Sequence, residues 1–176
     1  MKTVLSEQQL DITIKRLSHQ ILENHTDLSD TVIIGIQPRG VFVSDHIVQE
    51  LKKLVAPAKI KYGILDITFY RDDIRNEIHV PNQTKISFTI ENKNVVLIDD
   101  VLHTGRTIRA ALDALLDFGR PSKVELCTLI DRRFSRQLPI QADYVGKSID
   151  SIISQRVKVF WKPCDNKQEV ILEEGT

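Results

Sequence analysis

The chain has 176 residues, enough for one domain with a full core, and its 24 basic and 24 acidic side chains cancel. No overall positive field therefore advertises nucleic-acid binding, which leaves room only for a local basic face. No run approaches the roughly 18 apolar residues of a membrane span, and the start, MKTVLSEQQLD, has no apolar leader core, so a soluble cytoplasmic protein without a membrane partner is expected. Cys127 sits in an apolar run and reads as a small buried hydrophobe, Cys164 carries no motif, and neither has zinc or redox spacing.

In chain order, Ser6 followed three residues later by Gln9 is a capping-box pattern. Leu10, Ile14, Leu17 and Ile21 then give a helical stripe ending near Asn24. Lys15, Arg16 and His19 fall on its other side, where a solvated helix face is the plain reading. Thr31 to Ile36 is a buried strand, and Gln37-Pro38-Arg39-Gly40 leads into a helix from Val41 to about Leu54. Gly40 permits close approach of a ligand and Arg39 can pair with an anion bidentately, although a simple strand-to-helix turn would read the same way. Lys59 to Tyr70 is strand-like, Arg71 to Asn82 is a polar loop or hairpin tip, and Thr84 to Ile90 alternates as a returning strand.

The chemistry concentrates between Val95 and Thr107, VVLIDDVLHTGRT. Val95 to Ile98 is a mostly β-branched run suited to a strand buried on both faces. It ends in Asp99 and Asp100, a turn carries Thr104, Gly105, Arg106 and Thr107, and Ile108 to Phe118 forms an amphipathic helix. The first amides of such a helix lack intrahelical partners and carry partial positive charge, so a phosphate fits there, with the threonine hydroxyls as further donors. Carboxylates repel phosphate, so the acid pair must face sugar hydroxyls or Mg²⁺; a cradle beside two acids points to a phosphorylated sugar. A strand end with a threonine-rich helix cap is the plain alternative. No G-x-G-x-x-G and no Gly-Lys-Ser/Thr loop is present, which argues against a nicotinamide dehydrogenase or a nucleoside triphosphatase.

Gly119 and Pro121 stop that helix, Val124 to Ile130 is another buried strand, Ala142 to Gly146 a short one, Arg156 to Trp161 a late one, and Glu169 to Leu172 a closing piece. Apolar strands alternating with amphipathic helices imply an α/β fold with a mainly parallel sheet and a site at the carboxyl ends of its strands, where both anion loops fall.

The run VVLIDDVLHTGRT resembles the phosphoribosyl pyrophosphate (PRPP) signature of type I phosphoribosyltransferases. With DITFYRDD (Asp66 to Asp73), IRAALDALLDFGRPS (Ile108 to Ser122) and LPIQADYVGK (Leu138 to Lys147), the chain is similar to the PyrR family over Ser6 to Ser148. These are pyrimidine-operon attenuators that are also uracil phosphoribosyltransferases. The resemblance implies a twisted, mainly parallel sheet flanked by helices, a flexible β-hairpin flap over the reaction centre, and a small hood built from the N-terminal helix and the late strands, in one domain over 1–176.

It also implies roles. PRPP binds through Pro38, Arg39, Gly40, Asp99, Asp100, Val101, Leu102, His103, Thr104, Gly105, Arg106 and Thr107. Asp99, Asp100, Arg39 and the flap residue Arg71 are the catalytic candidates; Asp72 and Asp73 are expected to solvate the loop. Asp131, Tyr144 and Val145 fall in the base neighbourhood, with core packing as the other role of Tyr144. Mg²⁺ enters mainly with PRPP, touching Asp99 or Asp100, and no organic cofactor is implied. Uracil, UMP and pyrophosphate complete the small-molecule partners. A homodimer or larger assembly is implied, and pyrimidine leader RNA would meet Lys15, Arg16 and His19. Hypoxanthine, guanine or orotate as the base, without RNA binding, is the competing reading. Two departures stand out. Pro38 replaces a threonine, removing one N–H. The family's D-R-G-H-R-E-L-P-I becomes Asp131 to Ile140, DRRFSRQLPI, with the Gly-His pair lost and one residue inserted.

Overall fold

The structure, a computed structural model, describes residues 1–72, 83–152 and 154–174. Its centre is a five-stranded parallel sheet of β2 (Thr31–Ile36), β3 (Lys61–Leu65), β4 (Asn94–Leu102), β5 (Lys123–Arg133) and β6 (Tyr144–Asp150), in the order β3-β2-β4-β5-β6. Strand alternation divides β4 between two cores. Val96 and Ile98 face α1 (Glu7–His25) and α2 (Gly40–Leu54), while Val95 and Leu97 face α3 (Arg106–Leu115). This explains why the central strands read as continuous apolar runs: both faces are covered.

The capping box is formed, with the Ser6 hydroxyl accepting from the Gln9 amide and the Gln9 side chain accepting from the Ser6 amide. A second, antiparallel sheet stands apart from the first. It joins β1 (Lys2–Leu5), β8 (Glu169–Glu173) and β7 (Arg156–Phe160) in the order β1-β8-β7. Between β7 and β8 lies the single turn α4 (Lys162–Asp165). Trp161 is wholly buried at that point, its ring centroid 6.1 Å from Phe42 and 4.8 Å from His46, which seats this hood on α2.

Four boundaries differ from the sequence reading. The hood uses an N-terminal strand, β1, where the N-terminal helix was expected to contribute. The expected strand Lys59 to Tyr70 stops at Leu65, because the Asp66 carboxylate accepts from the amide and hydroxyl of Thr68 (3.1 and 2.7 Å) and folds Thr68–Tyr70 into a 3-10 turn. The returning strand Thr84 to Ile90 reduces to one antiparallel bridge, Ile64 to Lys85. Its alternation marks burial instead, with Ile86, Phe88 and Ile90 packed on the α3 side of the sheet. Finally, β4 and β5 run on through Asp99–Leu102 and Asp131–Arg133, since Val101 pairs with Ile130 and Leu102 with Asp131, and Arg132 and Arg133 pair with Ile149 and Asp150 of β6. Of the expected flap, Arg71 to Asn82, residues 73–82, including Asp73, lie outside the described residues. No helix among the described residues is long and apolar enough to cross a membrane.

Candidate active site

Both anion loops open at the carboxyl ends of the parallel strands, as the switch-point rule requires. After β2 comes a turn with a cis peptide between Gln37 and Pro38, whose Gln37 amide donates to the Leu65 carbonyl (2.9 Å). Gly40 then starts α2 directly against β4. A Cβ at this position would sit 2.6 Å from the Ile98 carbonyl oxygen and 3.0 Å from the Asp99 Cα, so only glycine allows the approach.

Asp99 is buried and Asp100 half-buried toward the carboxyl end of the central strand β4. Burial first, and then the neighbouring Asp100 carboxylate, pushes the Asp99 carboxyl well above the usual range, with Arg71 pulling the other way. Burial also raises Asp100, opposed by the Val101 amide and the Arg39 guanidinium. The pair is thus short of positive charge and takes up a cation or a hydroxyl donor favourably.

Beyond the acids, the loop Val101–Ile108 closes a cavity of about 250 Å³ together with Arg71 and Asp99. Gly105 is the N-cap of α3 and adopts φ 93°, a left-handed conformation that favours glycine, and the Thr104 hydroxyl accepts from the Arg106 amide at 3.3 Å. His103 is half-buried here; burial lowers its pKa, and so do the guanidinium groups of Arg132 and Arg136, so the imidazole is neutral at neutral pH. Arg39 does not lie along the loop. Its Nη1 donates to the Val159 carbonyl of β7 at 2.9 Å and stands 3.8 Å from the Asp165 carboxylate, linking the first anion loop to the hood.

The segment that departs from the family pattern is wired into the loop from His103 to Thr107. Arg136 donates to the Asp131 carboxylate (2.5 Å) and to the His103 carbonyl. The amides of Gln137 and Leu138 both donate to the Thr104 carbonyl (3.0 and 3.1 Å), and the Gln137 amide oxygen accepts from Arg106 Nε (2.9 Å). Arg106 and Arg109 in turn hold Asp72 at 2.9 and 3.2 Å, so Asp72 is an ion-pair partner of α3, where the sequence reading left it to solvent. Sequence reasoning noticed that segment but could not see its contacts, which cross from one loop to another. Arg132 is buried, donating to Ser151 Oγ (2.8 Å) and to the carbonyls of Ile152 and Gln155 (3.1 and 2.9 Å).

Three of the expected site residues have partners within the fold. Tyr144 takes the second of its two expected roles, core packing: its ring is buried among α1 and β5, and its hydroxyl donates to Glu125 at 2.7 Å, toward the amino end of β5. The Val145 carbonyl accepts from Arg16 at 3.3 Å. Arg16 spans the carbonyls of Val145 and Gly146 and ties α1 to β6. Lys15, Arg16 and His19 are all exposed, with His19 Nδ1 2.8 Å from the Lys15 carbonyl. Among the described residues no three His, Cys, Asp or Glu side chains converge as a metal site.

Comparison with known proteins agrees with this geometry. Residues 1–164 match the model of the phosphoribosyl transferase domain family. The chain is 44% identical to the "Bifunctional protein PyrR" of Caldicellulosiruptor bescii, over 98% of this chain and 95% of that one. It is 46% identical to the protein of the same name from Actinobacillus succinogenes, over 97% of each. Among solved structures, a hypoxanthine phosphoribosyltransferase from Staphylococcus aureus superposes with a TM-score of 0.72 over 100% of this chain and 93% of its own, at 20% identity. One from Trypanosoma cruzi gives 0.74 over 98% and 94%, at 17% identity. At such identities the structural likeness speaks for the fold alone.

Proposed function

Because the chain belongs to the PyrR family of phosphoribosyltransferases, we propose that it transfers the phosphoribosyl group of PRPP to uracil, giving UMP and pyrophosphate. The observation that carries this reading is buried Asp99, followed directly by Asp100, lining one cavity with the anion loop from Val101 to Ile108. The loop from His103 to Thr107 takes the ribose phosphate. Asp99 and Asp100 accept the ring hydroxyls and favour the positive charge that grows on the ribose as pyrophosphate departs. The turn from Pro38 to Gly40 receives the pyrophosphate, and Arg39 and Arg71 meet its negative charge. For Arg39 this means exchanging the Val159 carbonyl for the ligand. Asp99 and Asp100 are the carboxylates that would touch a Mg²⁺ brought in with PRPP, and the ion would supply charge neutralisation for the departing pyrophosphate. On the base side, Asp131 pairs with Leu102 at the carboxyl end of the sheet, beside the loop.

Pyrophosphate release from PRPP and Mg²⁺ with uracil, orotate, hypoxanthine or guanine tests this reading. Turnover with uracil alone is expected; turnover with a purine alone would overturn the base assignment and leave the fold likeness. The word bifunctional in the relatives' name supports a second role, a UMP-sensing RNA-binding regulator of pyrimidine genes that acts as a homo-oligomer. Lys15, Arg16 and His19 are its exposed candidates on α1. Retention of a hairpin RNA at low salt, falling steeply as salt rises, is the expected result. No retention at low salt would end the regulatory claim.

A further inference from the structure

We infer that Arg136 is a positioning residue that holds the phosphate loop in its anion-binding form from behind. This deepens the proposed activity and rests on that reading for the identity of the ligand. The observation is a set of three donors from consecutive residues acting on two consecutive carbonyls. Arg136 Nη1 donates to the His103 carbonyl, and the Gln137 and Leu138 amides donate to that of Thr104 at 3.0 and 3.1 Å. In a trans peptide the C=O and N–H point in opposite directions. Tying the His103 and Thr104 carbonyls to the 136–138 strut therefore turns the N–H groups of Thr104 and Gly105 to the side away from it. Those are amides of the loop that lines the cavity.

Arg136 is the part of the strut with a second anchor. Its other nitrogen donates to the Asp131 carboxylate at 2.5 Å, and both side chains are largely buried, 23% and 16% exposed. The guanidinium therefore measures the loop against the rigid end of β5, where Asp131 pairs with both Leu102 and Ser148. A planar fork suits this task, because one group must satisfy a carboxylate and a carbonyl at fixed angles, which a lysine ammonium does less well. The side chains of Leu138 and Ile140 stand where a Gly105 Cβ would be 3.3–3.4 Å from them, so the strut also packs on the turn that it orients.

The test compares wild type with Arg136→Ala and Arg136→Lys on two readouts. The first is amide hydrogen exchange of residues 101–107 in the free protein, together with the thermal midpoint. The second is the split between kcat and the KM for PRPP at saturating Mg²⁺ and uracil. The alanine variant is expected to exchange about tenfold faster in this loop with its midpoint little changed, and to raise KM roughly 10- to 100-fold while kcat falls far less, as expected for a displaced binding group. Lysine should recover part of both effects. Unchanged exchange in the loop overturns the inference, whatever the kinetics do. A wild type without turnover, accompanied by the faster exchange in Arg136→Ala, would keep the strut and remove the phosphoribosyl transfer reading.

Discussion

Asp99 and Asp100 set the terms of the site because the fold holds them where a carboxylate is least comfortable. Their carboxyls are raised relative to the unfolded chain. The folded state is therefore fully favoured below the ordinary carboxylate range and loses stability as pH rises through the folded values. Asp99→Asn removes that loss. Its thermal midpoint is expected to exceed that of wild type at pH 8, by roughly 2–4 °C for each kcal/mol regained, and to converge with it near pH 4. Its turnover should fall on the order of 10²–10³-fold. Differential scanning calorimetry at the two pH values, beside a pyrophosphate assay, checks both halves; equal midpoints at pH 8 would mean that the acid is not strained. Gly40→Ala addresses the opposite wall. The 2.6 Å approach to the Ile98 carbonyl must open, which is expected to cost about 1–3 kcal/mol of stability and to lower activity. Asp99, Asp100, Gly40 and Gly105 were all legible in the sequence, since acids at a strand end and glycines at helix starts are chemically specific. Tyr144 was not, because an aromatic residue in a short strand reads the same whether its ring meets a base or a core.

Among the elements, the parallel strands were legible because burial on both faces leaves unbroken apolar runs, as in Thr31–Ile36 and Val95–Ile98. Their ends were not. The residues that extend β4 and β5 are held by the ladders of their neighbours, β5 for β4 and β6 for the end of β5, and partner strands are invisible to local pattern. The same holds for the junction beneath the sheet. His25 at the end of α1, Thr31 on β2, Glu125 on β5 and Tyr144 on β6 share one hydrogen-bonded cluster, with His25 Nε2 2.6 Å from Glu125 and Nδ1 3.0 Å from Thr31. Burial works against the Glu125 carboxylate, but bonds from Lys123, Tyr144 and His25 outweigh it and hold its pKa at about 2. A depressed carboxylate gives stability that is present above the unfolded value and lost as pH falls toward 2. Glu125→Ala leaves buried donors without an acceptor and should cost roughly 1–3 kcal/mol. The same change should flatten acid unfolding while leaving the KM for PRPP unchanged, because the cluster lies at the opposite end of β5 from Asp131. A raised KM would show that the two ends of the strand are coupled.

For the whole molecule, a ligand that binds only the folded chain stabilises it by mass action. PRPP with Mg²⁺ at a hundred times its Kd should add about 2.7 kcal/mol, or roughly 5–10 °C in the thermal midpoint. No shift at millimolar PRPP would count against the proposed site as a whole. The α/β class was legible from strand and helix alternation, whereas the composition of the hood was not. Lys2 pairs with Leu172 and Leu5 with Val170, so the small sheet is a contact between the two extremes of the sequence, and four residues such as Lys2–Leu5 carry no pattern of their own. That pairing has a consequence for the order of events on the ribosome. β1 is made well before its partner β8, so β1 waits unpaired while the parallel sheet already has all of its strands. A nascent chain halted before β7 would hold the loop from His103 to Thr107 but lack the Val159 carbonyl that holds Arg39. Synthesis thus completes the Arg39 side of the proposed site after the acid side.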